Sequence, residues 1–304
     1  MFIGHALLAF AIAVRASRRF SVQRRTALRF GVVAALFAAI PDIDVVYAPV
    51  GLLLRSVETV GPDVFWETAN VIHRGPTHSL VMAGLLAVAV TLWTVDNRAA
   101  KGVAVAIGTT LVAIAAALSG TVGGVVVLLF VVAGFAVATG AYRAGVPVPT
   151  ILGLAAIGLL SHPFGDLFTG SPPPLLYPID VTLVAERIVL HPDPTGHLLA
   201  AFALELATVW LALRTYARVA EIRLADFLTR RAALGMGYAG AALLLPAPTL
   251  EQSAHFVFSV LAVGVVGAPT QPFTRGVDWR EVVVTGLSAV SIGLVAYALA
   301  YTFL

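Results

Sequence analysis

Between Val71 and Val81 the chain reads VIHRGPTHSLV, two histidines and an arginine around a Gly-Pro turn ahead of a long apolar run. Neutral imidazole is a common ligand of divalent metals, and a guanidinium pairs with carboxylates or phosphates. His73 and His78 are five apart, which suits no single helical face. The turn at Gly75 and Pro76 can fold His73 back toward His78, while Thr77 or Ser79 caps the helix that follows. AAIPDIDVVY puts Asp42 and Asp44 at the end of another apolar run, where Pro41 interrupts the helix. Carboxylates at that depth need cations or donors beside them and mark function by default. In LLSHPFGDLFTG, His162 and Asp166 project one turn apart from one helical face, a spacing that suits a shared metal or a simple His–Asp hydrogen bond at a helix end.

Weaker candidates surround these. His5, in HALLAF, stands at the end of the first apolar run. HPDPTGH brings together His191, Asp193 and His197, either as further ligands or as a rigid turn, and the turn is the reading adopted. His255 and Glu205 read as structural, with Glu205 inside an apolar run and therefore facing the interior of a bundle.

The elements that must carry these residues are membrane helices. Of 304 residues 59% are hydrophobic and only 12% charged, and the mean hydropathy is +0.94, whereas a soluble domain carries about 25% charged residues. Apolar runs recur at 2–14, 30–40, 80–95, 102–118, 121–139, 147–160, 198–213, 232–246, 255–268 and 282–304. The expected fold is all-α and polytopic, with about eight to ten membrane helices. Residues 1–180 form the domain that carries the metal-site residues, and 181–304 add membrane helices without a separate soluble domain. The first run has its positive charge after the apolar stretch and no small-residue cleavage pattern, so it reads as a retained membrane segment. Cysteine is absent, so a metal must be held by His, Asp and Glu.

If every run crosses, sixteen of the nineteen Lys and Arg residues fall on one side and only Arg55, Arg74 and Arg187 on the other. That bias assigns the first side to the cytoplasm and turns both termini outward. All seven histidines and ten of the sixteen acidic residues then lie on or near the outer side. The basic pI therefore reports membrane topology, and no nucleic-acid partner is expected.

An N-terminal His, then P-D-x-D, H-R-G-x-T-H-S, H-x-x-x-D and L-L-Y-P (Leu175 to Pro178) resembles the membrane-bound metal-dependent hydrolases, also described as LexA-binding inner-membrane hydrolases or YdjM-like proteins. The matching residues are His5, Asp42, Asp44, His73, Arg74, Thr77, His78, Ser79, His162 and Asp166. The likeness spans roughly the first 180 residues, and H-R-G-x-T-H-S is its most specific element. That family is distantly similar to zinc-dependent phospholipase C and P1 nuclease, which implies phosphoester hydrolysis and a role for Asp42 or Asp44 in bridging metals and orienting water.

The expected function is a multi-pass inner-membrane hydrolase whose site faces the extracytoplasmic side and acts on phosphoesters such as phospholipid headgroups. His5, Asp42, Asp44, His73, His78, His162 and Asp166 are the expected ligands of two or three divalent ions, zinc first and manganese or iron after it. Asp42, Asp44 and Arg74 are the expected catalytic groups. Two alternatives stand beside it. A metal transporter or sensor would carry ligands through the membrane midplane, where Glu205 is nearly alone, and a scaffold would bind a partner through its outer loops and hold no stoichiometric metal.

Overall fold

Proline and glycine decide where each apolar run stops being a helix. The computed structural model describes residues 3–47, 74–268 and 278–303. The chain forms two units, Met1–Arg187 and Ile188–Leu304.

In the first unit α1 (Gly4–Arg19) turns back into α2 (Arg24–Ala39), and the Arg18 guanidinium closes the turn on the Val22 carbonyl. Pro41 ends α2 and the chain tightens into a 3₁₀ segment, Pro41–Tyr47, holding both aspartates. A single 3₁₀ turn, Pro76–His78, precedes α3 (Leu80–Thr94), whose first N–H groups, those of Val81 and Met82, are capped by Ser79 Oγ. Of the two candidate caps read from the sequence, Ser79 is the one used.

Next comes α4 (Arg98–Arg143), 46 residues long. A straight helix of that length would span about 69 Å, more than twice the ~30 Å hydrocarbon core. It folds instead at Gly120, whose φ of 70° and ψ of −177° are open essentially to glycine alone. Gly108 then packs against Val131, and Gly124 against Ala116. The arms 98–119 and 121–143 are therefore antiparallel, and the separate runs expected at 102–118 and 121–139 are the two arms of one hairpin. α5 (Val148–Asp166) returns toward the end of the unit where α2 finished. Phe37, Met82, Leu86, Leu111, Phe130, Ile151 and Leu159 are buried in the core among these helices.

The second unit contains α6 (Pro194–Ala220), a 3₁₀ stretch Arg230–Gly240, the four-residue α7 (Ala241–Leu244), α8 (Ala254–Gly267) and α9 (Trp279–Phe303). Tyr238, Phe256, Val260 and Tyr297 form its core. The run at 232–246 differs from a plain membrane helix because Gly235, Gly237 and Gly240 weaken α-helix, and Gly235 seats its bare Cα against the Ala289 carbonyl of α9.

Among the described residues four helices, α4, α5, α6 and α9, are long and apolar enough to cross a membrane. Together with the absence of strands among the described residues, this makes the protein a polytopic helical membrane protein, as its composition led us to expect.

Candidate metal centre

Four short pieces of chain meet at one end of the first unit: the first turn of α1 with His5, the 3₁₀ segment with Asp42 and Asp44, the 3₁₀ turn with Arg74 just before it and His78 within it, and the last turn of α5 with His162 and Asp166. The arginines of α1 and α2 lie at the opposite end, where the Arg29 guanidinium bonds the Ala144 carbonyl between α4 and α5.

Packing between α2 and α5 sets the position of His162. A Cβ at Gly158 would stand 2.5 Å from the Ala34 carbonyl oxygen and 2.7 Å from the Ala38 nitrogen, so glycine is what lets the two backbones touch. One turn further on, His162 Nδ1 donates to the Ala38 carbonyl at 2.7 Å. A carbonyl only accepts, so the proton sits on Nδ1 and the lone pair is on Nε2, aimed into the cluster. Pro163 leaves one α5 hydrogen bond unmade beside this point.

His78 approaches from the facing side. Its Nε2 is 3.1 Å from His162 Nε2, 3.6 Å from Asp42 Oδ1 and 3.2 Å from Asp166 Oδ2. His162 Nε2 is 3.3 Å from Asp42 Oδ1 and 3.7 Å from Asp166 Oδ2. Two facing imidazole nitrogens thus have a carboxylate oxygen of Asp42 and one of Asp166 beside both of them, which is tolerable only with a proton or cation among them. Donors bound at 2.0–2.1 Å in a tetrahedron stand about 3.3–3.4 Å apart, and these five separations bracket that value. The residues present therefore fit a divalent ion, and Asp42, half-buried, forms with the buried His78 and His162 a group able to hold one.

His5, His162 and Asp166 form a second such group. His5 Nε2 is 3.4 Å from Asp166 Oδ1, and its ring lies against that of His162 with centroids 4.0 Å apart. This group is less independent than the expected ligand set implied. His162 has one nitrogen committed to Ala38, so its other nitrogen can serve a single ion. His73 lies outside the described residues.

Two of the expected site residues make contacts beside the donor set. Asp44, expected as a ligand beside Asp42, faces the other nitrogen of His78: its Oδ2 is 3.6 Å from Nδ1 and accepts from the Arg74 backbone N–H at 3.3 Å. Arg74, expected to offer its charge to a phosphate, is committed to protein groups. Its guanidinium lies 3.4 Å from Asp166 Oδ1 and donates to Thr169 Oγ1 at 2.8 Å and to the Ser171 carbonyl at 3.0 Å. Arg74 adopts a left-handed backbone, φ 64°, and so serves Asp44 through its main chain and Asp166 through its side chain. Gly170, at φ 77°, leaves room for that guanidinium. Neither Gly158 nor Gly170 stands out in the sequence, where nothing distinguishes them from other glycines.

The far ends of the motif are tied down as well. Leu80 N–H donates to the Leu175 carbonyl at 2.8 Å, and Ser79 Oγ donates to the Tyr177 carbonyl at 2.6 Å. LLYP is thereby the strap that holds the mouth of α3. In the second unit, His191 Nδ1 accepts from Asp193 N–H, Asp193 caps Gly196, and His197 Nδ1 accepts from Leu190 N–H. HPDPTGH is thus the rigid turn that starts α6.

Burial works against a charged His78, but the carboxylates of Asp166, Asp42 and Asp44 outweigh it and raise its pKa to about 9. Burial likewise works against ionised Asp42, yet the imidazoles of His162 and His78 beside it hold it below the usual carboxylate range. At pH 7 the metal-free cluster therefore keeps a proton on His78 that an incoming ion must displace. Proton release on zinc binding, and an apparent affinity rising roughly tenfold per pH unit below pH 9 for each proton displaced, are the expected results of calorimetry in several buffers. An affinity flat between pH 6 and 9 would contradict them.

The family model of the YdjM inner membrane proteins matches residues 1–233. No curated protein and no solved structure matches the chain.

Proposed function

This chain belongs to the YdjM inner membrane protein family, and from that premise we propose that it is a membrane-embedded metal-dependent hydrolase of phosphoesters, with phospholipid headgroups as the favoured substrates. The observation that carries this reading is the set of four donor atoms, His78 Nε2, His162 Nε2, Asp42 Oδ1 and Asp166 Oδ2, in which each imidazole nitrogen lies 3.1–3.7 Å from the other and from both carboxylate oxygens. Two imidazoles and two carboxylates suit zinc first and manganese or iron after it. One ion rather than two or three is favoured, because the second group borrows His162 and Asp166 from the first. When bound, the ion supplies Lewis acidity to a phosphoryl oxygen and to a water molecule.

The protein's own groups divide the remaining work. His78, His162 and Asp166 are buried, whereas the Asp42 side chain keeps 27% of its exposure. Asp42 therefore marks the open edge where substrate and water enter, and with Oδ1 in the donor set its Oδ2 is left to take the proton of the attacking water. Arg74 holds Asp166 in place.

Depth favours a lipid substrate. Gly134, 14 residues past the hairpin tip at Gly120, packs on Leu86 and Val90 of α3, which lie 7 and 11 residues past Ser79. At 1.5 Å per residue the tip overhangs the mouth of α3 by about 7 Å. Leu118, Val122 and Val125 are exposed on that tip, which suits a lipid-covered hairpin with the cluster recessed beside it. The arginine-rich helix ends at the opposite pole support an extracytoplasmic site.

The test is metal-dependent cleavage of phospholipid in vesicles, compared with a water-soluble phosphodiester, by wild type, Asp42→Ala and His78→Ala. Losses of roughly a thousandfold or more in both variants are expected. Unchanged cleavage in both variants would sink the proposal.

A further inference from the structure

Asp44 and Thr77 are almost wholly buried, at 0% and 1% exposure, and neither contributes to the four-donor set. Thr77 Oγ1 lies 3.0 Å from His78 Nδ1 and donates to Asp44 Oδ2 at 3.4 Å. The same Asp44 oxygen accepts from the Arg74 backbone N–H. A hydroxyl has one proton, and once it points at a carboxylate its oxygen can only accept from the imidazole. In the neutral ring, once an ion has displaced the second proton, the proton of His78 is thereby placed on Nδ1 and the lone pair on Nε2.

His162 reaches the same end by a different device, a neutral backbone carbonyl. Of the two imidazoles, His78 alone is backed by an anion. A carboxylate behind a ligating histidine fixes the ring and increases its basicity.

We infer that Thr77 and Asp44 are a positioning pair that orients His78 from behind, and that Asp44 is therefore not itself a metal ligand. This rests on the reading of the cluster as a metal centre. It assigns the two aspartates of P-D-x-D opposite tasks on one imidazole, Asp42 in front at Nε2 and Asp44 behind at Nδ1.

The experiment is zinc titration of the stripped, detergent-purified full chain against a chromophoric chelator, with the visible spectrum of the cobalt(II) form as a second readout. Thr77→Val lowers affinity roughly 10- to 100-fold while a full equivalent still binds at saturation, and Thr77→Ser restores affinity. Asp44→Asn matches Thr77→Val, and the double variant loses no more than either single one, because both cut the same chain of contacts.

Three results would overturn the inference: loss of the bound equivalent in Asp44→Asn with Thr77→Val unaffected, which makes Asp44 a ligand; additive losses in the double variant; or wild-type affinity and cobalt spectrum in Thr77→Val. Should Thr77→Val not fold, Asp44→Asn and Thr77→Ser still decide between ligand and positioning roles. Should wild type bind no zinc or cobalt, the metal-centre reading fails on its own. The ring-nitrogen NMR of the metal-free chain then tests the pair: the His78 Nδ1–H signal shifts in Thr77→Val if the contact exists and stays put if it does not.

Discussion

Asp166→Ala is expected to destabilise the metal-free protein by about 3 kcal/mol and also to abolish metal binding, whereas Asp42→Ala abolishes binding at little cost to the metal-free fold. The difference lies in what each carboxylate leaves behind. Asp166 is 3% exposed and sits among His5, His78, His162 and the Arg74 guanidinium. Removing it strands the largely buried guanidinium of Arg74, the situation in which breaking a pair costs about 3–5 kcal/mol. Thr169 and Ser171 still receive Arg74, which keeps the expected cost at the lower end of that range. Asp42 is 27% exposed, so water replaces much of what its carboxylate supplied. Thermal unfolding of chelator-treated protein in detergent separates the two. Equal melting temperatures for the variants would show that Asp166 does not hold the four chain segments together.

The second large effect is expected at a residue that carries no side chain. Gly158→Ala places a methyl 2.5 Å from the Ala34 carbonyl oxygen and 2.6 Å from Phe37 Cβ. Neither the carbonyl nor a Cβ can swing aside as the end of a long side chain can, so α2 and α5 must separate, at a cost of about 1–3 kcal/mol. The bond from His162 Nδ1 to Ala38, one turn along both helices, stretches with them. Metal affinity is therefore expected to fall together with stability, and more so in Gly158→Val. Gly153→Ala is the control on the same helix, because a Cβ there meets nothing within 4 Å and alanine favours helix. If both glycine variants retain wild-type zinc affinity, the contact between α2 and α5 does not position the ligand.

How much of this was legible in the sequence depended on whether a residue's role follows a helical period. His162 and Asp166 are four apart, and the last turn of α5 presents them together despite Pro163. Membrane class and an all-helical fold followed from composition, because a chain this poor in charge has no way to cover a soluble core. Asp42 and Asp44 looked equivalent, since nothing in P-D-x-D tells which carboxylate meets which nitrogen of a histidine more than thirty positions away. Arg74 looked like a free cation because its partners, Asp166, Thr169 and Ser171, come from the end of α5 and the stretch after it, about ninety residues away. The turn of α4 at Gly120 was visible only as a gap between two apolar runs. Gly158 gave no signal at all: its importance is a backbone approach, and that exists only once the helices pack.

The central claim is that one divalent ion is held by His78, His162, Asp42 and Asp166. Its most direct test is elemental analysis of protein purified in detergent without chelators, alongside the Asp42→Ala/His162→Ala double variant. About one zinc, manganese or iron per chain in wild type, absent from the double variant, is the predicted result. Wild type without stoichiometric metal, or a double variant that keeps it, would contradict the account.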